Sequence, residues 1–568
     1  MTIESRWTTP IPNCSLQKWV FGSSFGPLLN TPQFIDADRP DTHFLTQTDY
    51  RLWAKRLALG LTRAGFKPGD RLLLFSGNNI FTPVVFMGAL MAGGIFTGAN
   101  PSFVARELAY QVKDSGASFL IASDASMETA VEAAAQVGLS KSQIYSFDAT
   151  ALDSTPGKAR LGTQHWTTLL ASPEEAAKFD WVEPADSTEQ VCALNYSSGT
   201  TGVPKGVEIT HFAYVSNGLI SNYMERFDSE YEEKKKRARR LGFLPMYHAY
   251  GQSYFICNYP REGVPVYLMP SFNFEKMLQH IEKFRIDILI CVPPIIVALA
   301  KSPLSRKYDL SSIEVIGSGA APLGAEISEE VLKLWPPGAV RLRQGWGMSE
   351  LTCGCTSFHP EDQTISAAVG ELMPNFKARI MKVDGSGEIT KANEAGEVWV
   401  TGPNLLKGYW QKPEATANTL HIDSDGTRWL KTGDIGYVDK YGPGGHLYIV
   451  DRIKELIKVK GSQVAPAELE DVLLDNKGIV DVAVVGVTIN GEELPRAYVV
   501  ANPAVKQTEQ EIAKWMESRV TKYKWLRGGV KFIDAIPKNP SGKILRRVLR
   551  DQAAKEVGDR KPNETKLS

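Results

Sequence analysis

The chain has 568 residues, of which 43% are apolar, 23% charged and 10% aromatic. At roughly 150 residues per domain this length sets an expectation of about four structural units with a substantial core, and the composition excludes disordered, fibrous and small disulfide-stapled proteins. Lys+Arg and Asp+Glu are both 64, so no global field draws the chain toward nucleic acid or an anionic membrane, and any polyanion has to be met by a local site.

In chain order, residues 1–12 carry Glu4, Arg6 and two prolines and no apolar run, so no secretory signal is expected. From Asn79 to Ala105 no residue is charged. The stretch could span a bilayer, but Pro83, Gly88, Gly93, Gly94, Gly98, Asn100 and Pro101 interrupt it; the reading is a buried helix followed by a strand, without stable membrane insertion. From Tyr50 to about Val340 apolar helical stretches alternate with strand-like runs at Arg71 to Phe75, Ser118 to Ile121, Val264 to Leu268, Ile286 to Ile290 and Ile313 to Ile316. That alternation predicts βα units and mostly parallel sheets.

The run Glu232 to Arg240 is the sharpest local charge feature; it reads as a solvated helix or loop, or as a landing strip for a phosphorylated partner. Between Gly370 and Val450 short alternating segments broken by Gly, Pro and Asp predict a small β-rich subdomain. Beyond Asp451 the pattern is mixed, with a helix opened by Pro466 (Pro466 to Leu474), strands near Val482 to Val487 and Arg496 to Val500, and a helix from Glu509 to Ser518. A boundary close to Asp451 divides the chain into domains 1–450 and 451–568. The six cysteines, Cys14, Cys192, Cys257, Cys291, Cys353 and Cys355, are scattered and partly inside apolar runs, which fits reduced thiols and a cytoplasmic location. Cys353-Gly354-Cys355 lacks the second ligand pair of a zinc site. The terminal Lys566-Leu567-Ser568 holds the letters of a peroxisomal address in the wrong order.

Five segments could carry chemistry. Tyr196-Ser197-Ser198-Gly199-Thr200-Thr201-Gly202-Val203-Pro204-Lys205-Gly206 follows the strand-like Val191 to Asn195; its hydroxyls, backbone N–H groups and the mobile cation Lys205 suit a phosphate chain. It is not the P-loop of kinases and GTPases, because Gly206 follows Lys205 and the glycine spacing differs. Gly317-Ser318-Gly319-Ala320-Ala321-Pro322 is a near miss to a dinucleotide fingerprint whose small residues allow a flat ring to approach backbone. In Gln344-Gly345-Trp346-Gly347-Met348-Ser349-Glu350, the indole could stack on a purine, Ser349 could bond a phosphate and Glu350 could hold Mg2+, although core packing with a helix cap explains the segment equally. Asp434, in Lys431 to Asp434, and Arg452, in Asp451 to Lys458, could clamp ribose hydroxyls. Pro537 to Lys543 is a turn rich in chain breakers that displays Lys543.

Taken in this order over nearly the whole chain, these segments resemble the adenylate-forming superfamily of acyl-CoA synthetases, firefly luciferase and peptide-synthetase adenylation domains. Leu244 to His248, Ser197 to Gly206, Lys454 to Lys460 and Gln463 to Glu470 are most similar to coumarate–CoA ligases. The resemblance implies an α/β protein: a large N-terminal domain of two α/β lobes plus a small β-barrel, and a small mobile α+β C-terminal domain hinged at Lys454. It assigns ATP and AMP binding to Ser197, Ser198, Gly199, Thr200, Thr201, Gly202 and Lys205, to Ser318, Gly319 and Ala320, to Gln344, Gly345, Trp346, Gly347 and Ser349, and to Asp434, Arg452 and Lys543. Thr200 and Glu350 would hold Mg2+. His248 would orient the acyl carboxylate, Lys543 would serve the first half-reaction, and Lys458 with Gly461 and Gln463 the second, with coenzyme A as co-substrate. Tyr247, Tyr250, Tyr254, Leu304 and Gly354 would line the acyl slot, which suits a cinnamate-like acid or a medium- to long-chain fatty acid.

This sequence departs from the family pattern at Trp346 (usually Tyr), Ser349 (Thr), Thr401 (Arg) and Ser462 (aromatic), and more widely at Leu351 to Cys355 beside the acyl slot. The expected protein is a monomer or homodimer with small-molecule partners. A peptide-synthetase loading domain is disfavoured, since Ala249 to Ser253 offers no Asp for an α-ammonium and no carrier-attachment motif follows. A stand-alone acyl-AMP ligase or a luciferase-type oxygenase stays open, and a Rossmann dehydrogenase would rest on Gly317 to Pro322 alone. A catalytically dead binding protein is disfavoured by the presence of Lys205, Glu350, Asp434, Arg452 and Lys543.

Overall fold

The uncharged stretch becomes the helix Thr82–Met91, buried at all ten residues, and the strand Ile95–Ala99, buried throughout. Both sit inside the molecule because helices cover both faces of the sheet to which the strand belongs, so neither has a face that needs a polar residue. In the computed structural model, which describes residues 2–153, 157–197, 203–362, 367–459, 462–539 and 542–557, this first sheet has seven strands. Their order is Lys205–Thr210, Val191–Ser197, Ile95–Ala99, Arg71–Phe75, Phe119–Ser123, Ile144–Phe147, Gln164–His165. Pairing is parallel except where Val191–Ser197 turns back on Lys205–Thr210, with Ser197 opposite Lys205. The helix Gln47–Arg63 lies against Thr82–Met91 through a glycine: a Cβ on Gly88 would come within 2.8 Å of the Leu57 side chain.

A second seven-stranded sheet runs Arg341–Gln344, Val315–Ser318, Ile288–Cys291, Arg240–Gly242, Val266–Leu268, Pro32–Asp36, Phe44–Thr46 and is parallel but for its last pair. The predicted βα alternation is thus realised as two sheets, with strand ends displaced by one or two residues from the apolar runs. The predicted β-rich segment forms an eight-stranded antiparallel sheet in which Arg428–Val438 and Leu447–Arg452 pair Asp434 with Arg452. It recruits the N-terminal Ile3–Glu4 against Lys377–Met381, a long-range pairing that no local pattern announces. One continuous set of buried side chains, from Ile3 through Phe86 and Ile316 to Leu447, ties the three sheets together.

After Arg452 the chain builds a smaller unit: the hairpin Ile457–Val459 and Ser462–Val464, the helix Pro466–Leu474, the antiparallel pair Ile479–Ile489 and Glu492–Ala501 with Val530–Phe532 alongside, and the helices Glu509–Glu517 and Arg546–Val557. The helix beginning at Pro466 matches its expected bounds, because Pro at the first turn fixes φ where the missing N–H is not needed. Its buried side chains form clusters of their own, such as Leu469, Val482, Val499 and Ile512. The smaller unit rests on the larger one at defined points. Lys301 Nζ donates to the carbonyls of Leu474 (3.3 Å) and Ile479 (3.2 Å), Gly324 lies against Asp471, and Gly542 lies against Val292 and Pro294. Among the described residues no helix is long and apolar enough to cross a membrane, and the six cysteines are unpaired.

Candidate active site

The nucleotide candidates meet at the C-terminal ends of the second sheet, where ligands of open α/β sheets collect. Ser318 ends one strand, Gly319 and Ala320 follow it, and Gln344 ends the neighbouring strand. Ser318 Oγ is buried without a hydrogen-bond partner, so the site keeps a polar atom in reserve for a ligand. Ala320 adopts φ +72°, a left-handed conformation that a non-glycine residue holds only under constraint from its surroundings. Gln344 lines the cavity at the end of its strand, and its side-chain amide also donates to Leu323 O (2.9 Å) and accepts from Leu323 N (2.9 Å), which ties down the neighbouring loop.

Trp346, 7% exposed, donates from Nε1 to Asp434 Oδ2 at 2.8 Å, and Asp434 Oδ1 lies 3.3 Å from Arg452 Nε. Ring, carboxylate and guanidinium therefore form one assembly whose members come from three distant stretches of chain. Gly347 lets the Trp346 strand approach Cys353 and Gly354: a Cβ there would fall 1.8 Å from Cys353 O. Gly347→Ala is therefore expected to push these segments apart, raise KM for the nucleotide by about tenfold or more and lower Tm, measured by steady-state kinetics and calorimetry; an unchanged KM would contradict the placement.

At the phosphate side, Glu350 Oε1 accepts from Ser197 Oγ (3.1 Å) and from Tyr409 Oη (2.8 Å), and Lys205 Nζ stands 5.0 Å from the centre of the Tyr409 ring. Tyr409 was not singled out from sequence; the only local signal is its place between Gly408 and Trp410, and its role comes from packing on the Ser197–Lys205 hairpin. Ser198, Gly199, Thr200, Thr201 and Gly202 lie outside the described residues, as do Lys460 and Gly461. An oxygen donor set with one Glu350 oxygen engaged twice and the other without a hydrogen bond among the described residues fits a hard cation such as Mg2+.

Lys543 reaches the same place from the smaller unit. Its turn is closed by Asn539 N to Lys543 O (2.9 Å) and Gly542 N to Asn539 O (2.8 Å), while Lys543 N donates to Asn539 Oδ1 (2.8 Å). Gly542 has φ +79° and abuts Val292 and Pro294, so a side chain there would meet strain and a wall together. Burial, together with Arg452 and Lys454, pushes the Lys543 ammonium down to about 8, against the opposing pull of Asp434 and Glu455. Burial and the charge of Lys543 push His248 down to about 4, which leaves the imidazole neutral near pH 7, with Nδ1 accepting from Tyr250 N at 3.4 Å.

From this point a cavity of about 280 Å³ runs under the second sheet. His248, Tyr250, Tyr254 and Gly354 line it, as do Ser318, Gly319, Trp346 and Ser349. Tyr250 and Tyr254 stand edge to face at 5.4 Å, and a Cβ on Gly319 would touch the Tyr250 ring at 3.1 Å. Tyr254 belongs to a π-helical stretch, Gln252–Asn258, whose widened turns have no sequence signature. Two expected lining residues are elsewhere: Tyr247 packs on Gly98 of the first sheet, and Leu304 sits in the turn Pro303–Arg306 away from the cavity. Lys458 and Gln463, both exposed, are paired across the hairpin whose other face is buried, and they do not line the cavity.

The Glu232 to Arg240 run begins as a helix, Tyr231–Arg237, with no buried residue. Lys234 pairs with Asp228 (2.7 Å), Lys235 with Glu262 (2.6 Å), Lys236 with Glu233 (2.6 Å), Arg237 with Glu314 (2.5 Å) and Arg240 with Asp287. Five of its six cations thus have a local carboxylate partner, and Arg239 donates to the Arg237 carbonyl instead.

The family model described as AMP-binding enzyme matches residues 30–410, and the model of the AMP-binding enzyme C-terminal domain matches residues 468–543. The chain is 35% identical over 560 residues to a phenylacetyl-CoA ligase of Aspergillus niger, covering 97% of this chain and 99% of that protein. It is 36% identical over 516 residues to a 4-coumarate–CoA ligase of Petroselinum crispum, covering 90% and 89%. Among solved structures, ATP-bound MatB from Rhodopseudomonas palustris superimposes with a TM-score of 0.81 at 25% identity, covering 96% of this chain and 100% of that one.

Proposed function

As a member of the AMP-binding enzyme family the chain is an adenylate-forming acyl-CoA ligase, and we propose that the acid it activates is aromatic, of cinnamate or coumarate type. The observation that carries this reading is the edge-to-face pair of Tyr250 and Tyr254 beside Gly319, a flat slot opening directly from the nucleotide assembly. A medium- or long-chain fatty acid is the second reading, favoured by the continuation of the cavity past the tyrosines.

A carboxylate is a poor acyl donor because its leaving group would be oxide. In the proposed first step its oxygen attacks the α-phosphorus of ATP and expels pyrophosphate, giving a mixed anhydride whose leaving group is AMP. Two anions must meet, so positioning and charge neutralisation supply the rate. Trp346, Asp434 and Arg452 hold the nucleoside, Lys205 and the Ser197 to Lys205 loop the phosphates, and Lys543 the charge that builds during attack. Glu350, with Thr200, would hold Mg2+, which supplies further neutralisation of the phosphate oxygens when bound. In the second step a thiolate attacks the acyl carbonyl and AMP departs. Lys543 then stands in the way, and a rotation of residues 451–568 about Lys454 replaces it by the Lys458 and Gln463 face.

The Lys543 ammonium titrates at about 8 without nucleotide, and it is the charged form that serves the first step. Adenylation kcat/KM is therefore expected to fall as pH rises through about 8, while kcat falls only at higher pH because the ATP phosphates raise the Lys543 value. His248, neutral above about 4, adds no limb between pH 5 and 8. Coincident high-pH limbs in kcat and kcat/KM would contradict this assignment.

Substrate class is tested by pyrophosphate release over aromatic and short-, medium- and long-chain acids, with product masses taken with and without CoA. The proposal expects arylalkenoic acids to be fastest and an acyl-CoA to form only when CoA is present. Turnover of aliphatic acids alone would replace the aromatic reading by the fatty-acid one, and an adenylate that CoA does not discharge would point to a carrier-protein acceptor.

A further inference from the structure

One carboxylate has hold of both ends of the hairpin assigned to the phosphates. Asp114 lies in the last turn of the helix Ala105–Ser115, where the free carbonyl ends of the helix disfavour an anion, and its side chain is 12% exposed. Its Oδ2 accepts from Tyr196 Oη at 2.8 Å, immediately ahead of Ser197, and its Oδ1 pairs with Lys412 Nζ. The single hydroxyl proton of Tyr110, one turn earlier on the same helix, is aimed between Asp114 Oδ1 at 3.3 Å and Pro204 O at 2.8 Å, immediately ahead of Lys205. Lys412 N in turn donates to the carbonyl of Tyr409 at 3.0 Å, the residue whose hydroxyl meets Glu350.

The platform under Asp114 is fixed. Arg71 donates from Nε to Ser115 O (2.9 Å) and from Nη2 to Gly116 O (2.8 Å), and the buried Gln111 donates from Nε2 to Thr97 Oγ1 (3.0 Å). Gly206 leaves room for the Tyr196 ring, since a Cβ there would fall 3.3 Å from it. Burial and the Asp114 charge raise both phenols, Tyr110 to about 12, so both remain donors at neutral pH. An anion at the base of a phosphate hairpin repels the ligand by charge alone. Its place there needs a compensating gain, and the network supplies one: Tyr196, Pro204 and the Tyr409 loop are tied to a single rigid helix end.

Resting on the assignment of the phosphates to this hairpin, we propose that Asp114 is a positioning residue for the pyrophosphate half of ATP, setting where Ser197 and Lys205 stand without touching the ligand itself.

The test measures the dissociation constants of pyrophosphate and of AMP by calorimetry, together with the two half-reactions, for the wild type, Asp114→Ala, Asp114→Asn and Tyr110→Phe. A misplacement of ~1 Å costs up to about 100-fold, so Asp114→Ala is expected to weaken pyrophosphate by about tenfold or more and to lower adenylation kcat/KM by a similar factor. AMP affinity and discharge of supplied acyl-AMP to CoA should stay within about threefold, because neither uses a β- or γ-phosphate. Asp114→Asn, which keeps an acceptor for Tyr196, should fall between the wild type and Asp114→Ala. Tyr110→Phe, which releases Pro204 O, should weaken pyrophosphate by about threefold or more. If Asp114→Ala does not fold, these two variants decide. Equal losses for pyrophosphate and AMP would mean that Asp114 supports the fold generally, and pyrophosphate bound as well as before or more tightly would mean that it acts by charge; either result overturns the proposal. Lys205→Ala, measured alongside, tests the premise. It is expected to weaken pyrophosphate by about tenfold or more; no loss there would overturn the assignment of the phosphates to this hairpin, whereas a loss there with none at Asp114 would overturn the positioning role alone.

Discussion

Replacing Lys543 by alanine is expected to slow adenylate formation by roughly a thousandfold while transfer from a supplied acyl-adenylate to CoA stays within a few-fold of the wild-type rate. A cation near 4 Å from developing charge contributes about 4 kcal/mol at an effective dielectric of about 20, and each 1.4 kcal/mol is about tenfold in rate. The fold should not suffer. The turn around Lys543 is held by Asn539 and by backbone contacts, and removing an ammonium crowded by Arg452 and Lys454 relieves repulsion, so Tm should hold or rise slightly. Single-turnover formation of labelled acyl-AMP and discharge of synthetic acyl-AMP measure the two steps separately. Equal losses in both would mean that Lys543 supports the site generally and does not act in the first step.

The second large effect is expected at Asp434. Its carboxylate accepts from the Trp346 indole and pairs with Arg452, and it is 5% exposed. Asp434→Ala strips the ring of its partner and leaves Arg452, Lys454 and Lys543 as neighbouring cations with less to balance them. Breaking a buried pair from one side costs about 3–5 kcal/mol; because the Arg452 side chain is 34% exposed, the expected loss is smaller, a rise in KM for ATP of roughly 10- to 100-fold. A second consequence follows from the sign of the interaction. Asp434 raises the Lys543 pKa, so in the variant the high-pH limb of kcat/KM should move below about 8. A KM effect without that displacement would separate ribose binding from Lys543 and contradict their common assembly.

Much of this site is legible in the sequence because its motifs are short and local. The Ser197 to Lys205 turn, the small residues at Gly317 to Ala320 and the Pro466 helix announce themselves through spacing and backbone chemistry. What was hidden depends on topology. Trp346, Asp434 and Arg452 are joined only because antiparallel strands align them beside a parallel sheet, and Tyr409 reaches Glu350 from a loop with no motif. The lengths of the apolar runs fixed the sheets but not the cavity, whose wall depends on Gly319 leaving room for the Tyr250 ring and on the π-helical Gln252–Asn258 that carries Tyr254. Tyr247 and Leu304, which the resemblance assigns to the acyl slot, lie elsewhere, Tyr247 on Gly98 and Leu304 in the turn Pro303–Arg306. The charge run at 232–240 reads from sequence as surface, whereas its last member, Arg240, is buried at the end of the cavity by the strand it begins.

The central claim is that one nucleotide site is served in turn by two faces of the smaller unit, and a reversible lock across the two units tests it most directly. Gly324 has ordinary backbone angles, and a Cβ placed on it would lie 2.6 Å from Asp471 Cγ, so Gly324→Cys with Asp471→Cys brings two thiols within bridging range while Lys543 is docked. Oxidised, this variant is expected to form acyl-AMP from acid and ATP but to release almost no acyl-CoA, and reduction should restore transfer. Acyl-CoA formed at the same rate in the oxidised and reduced protein would contradict the alternation of Lys543 and Lys458.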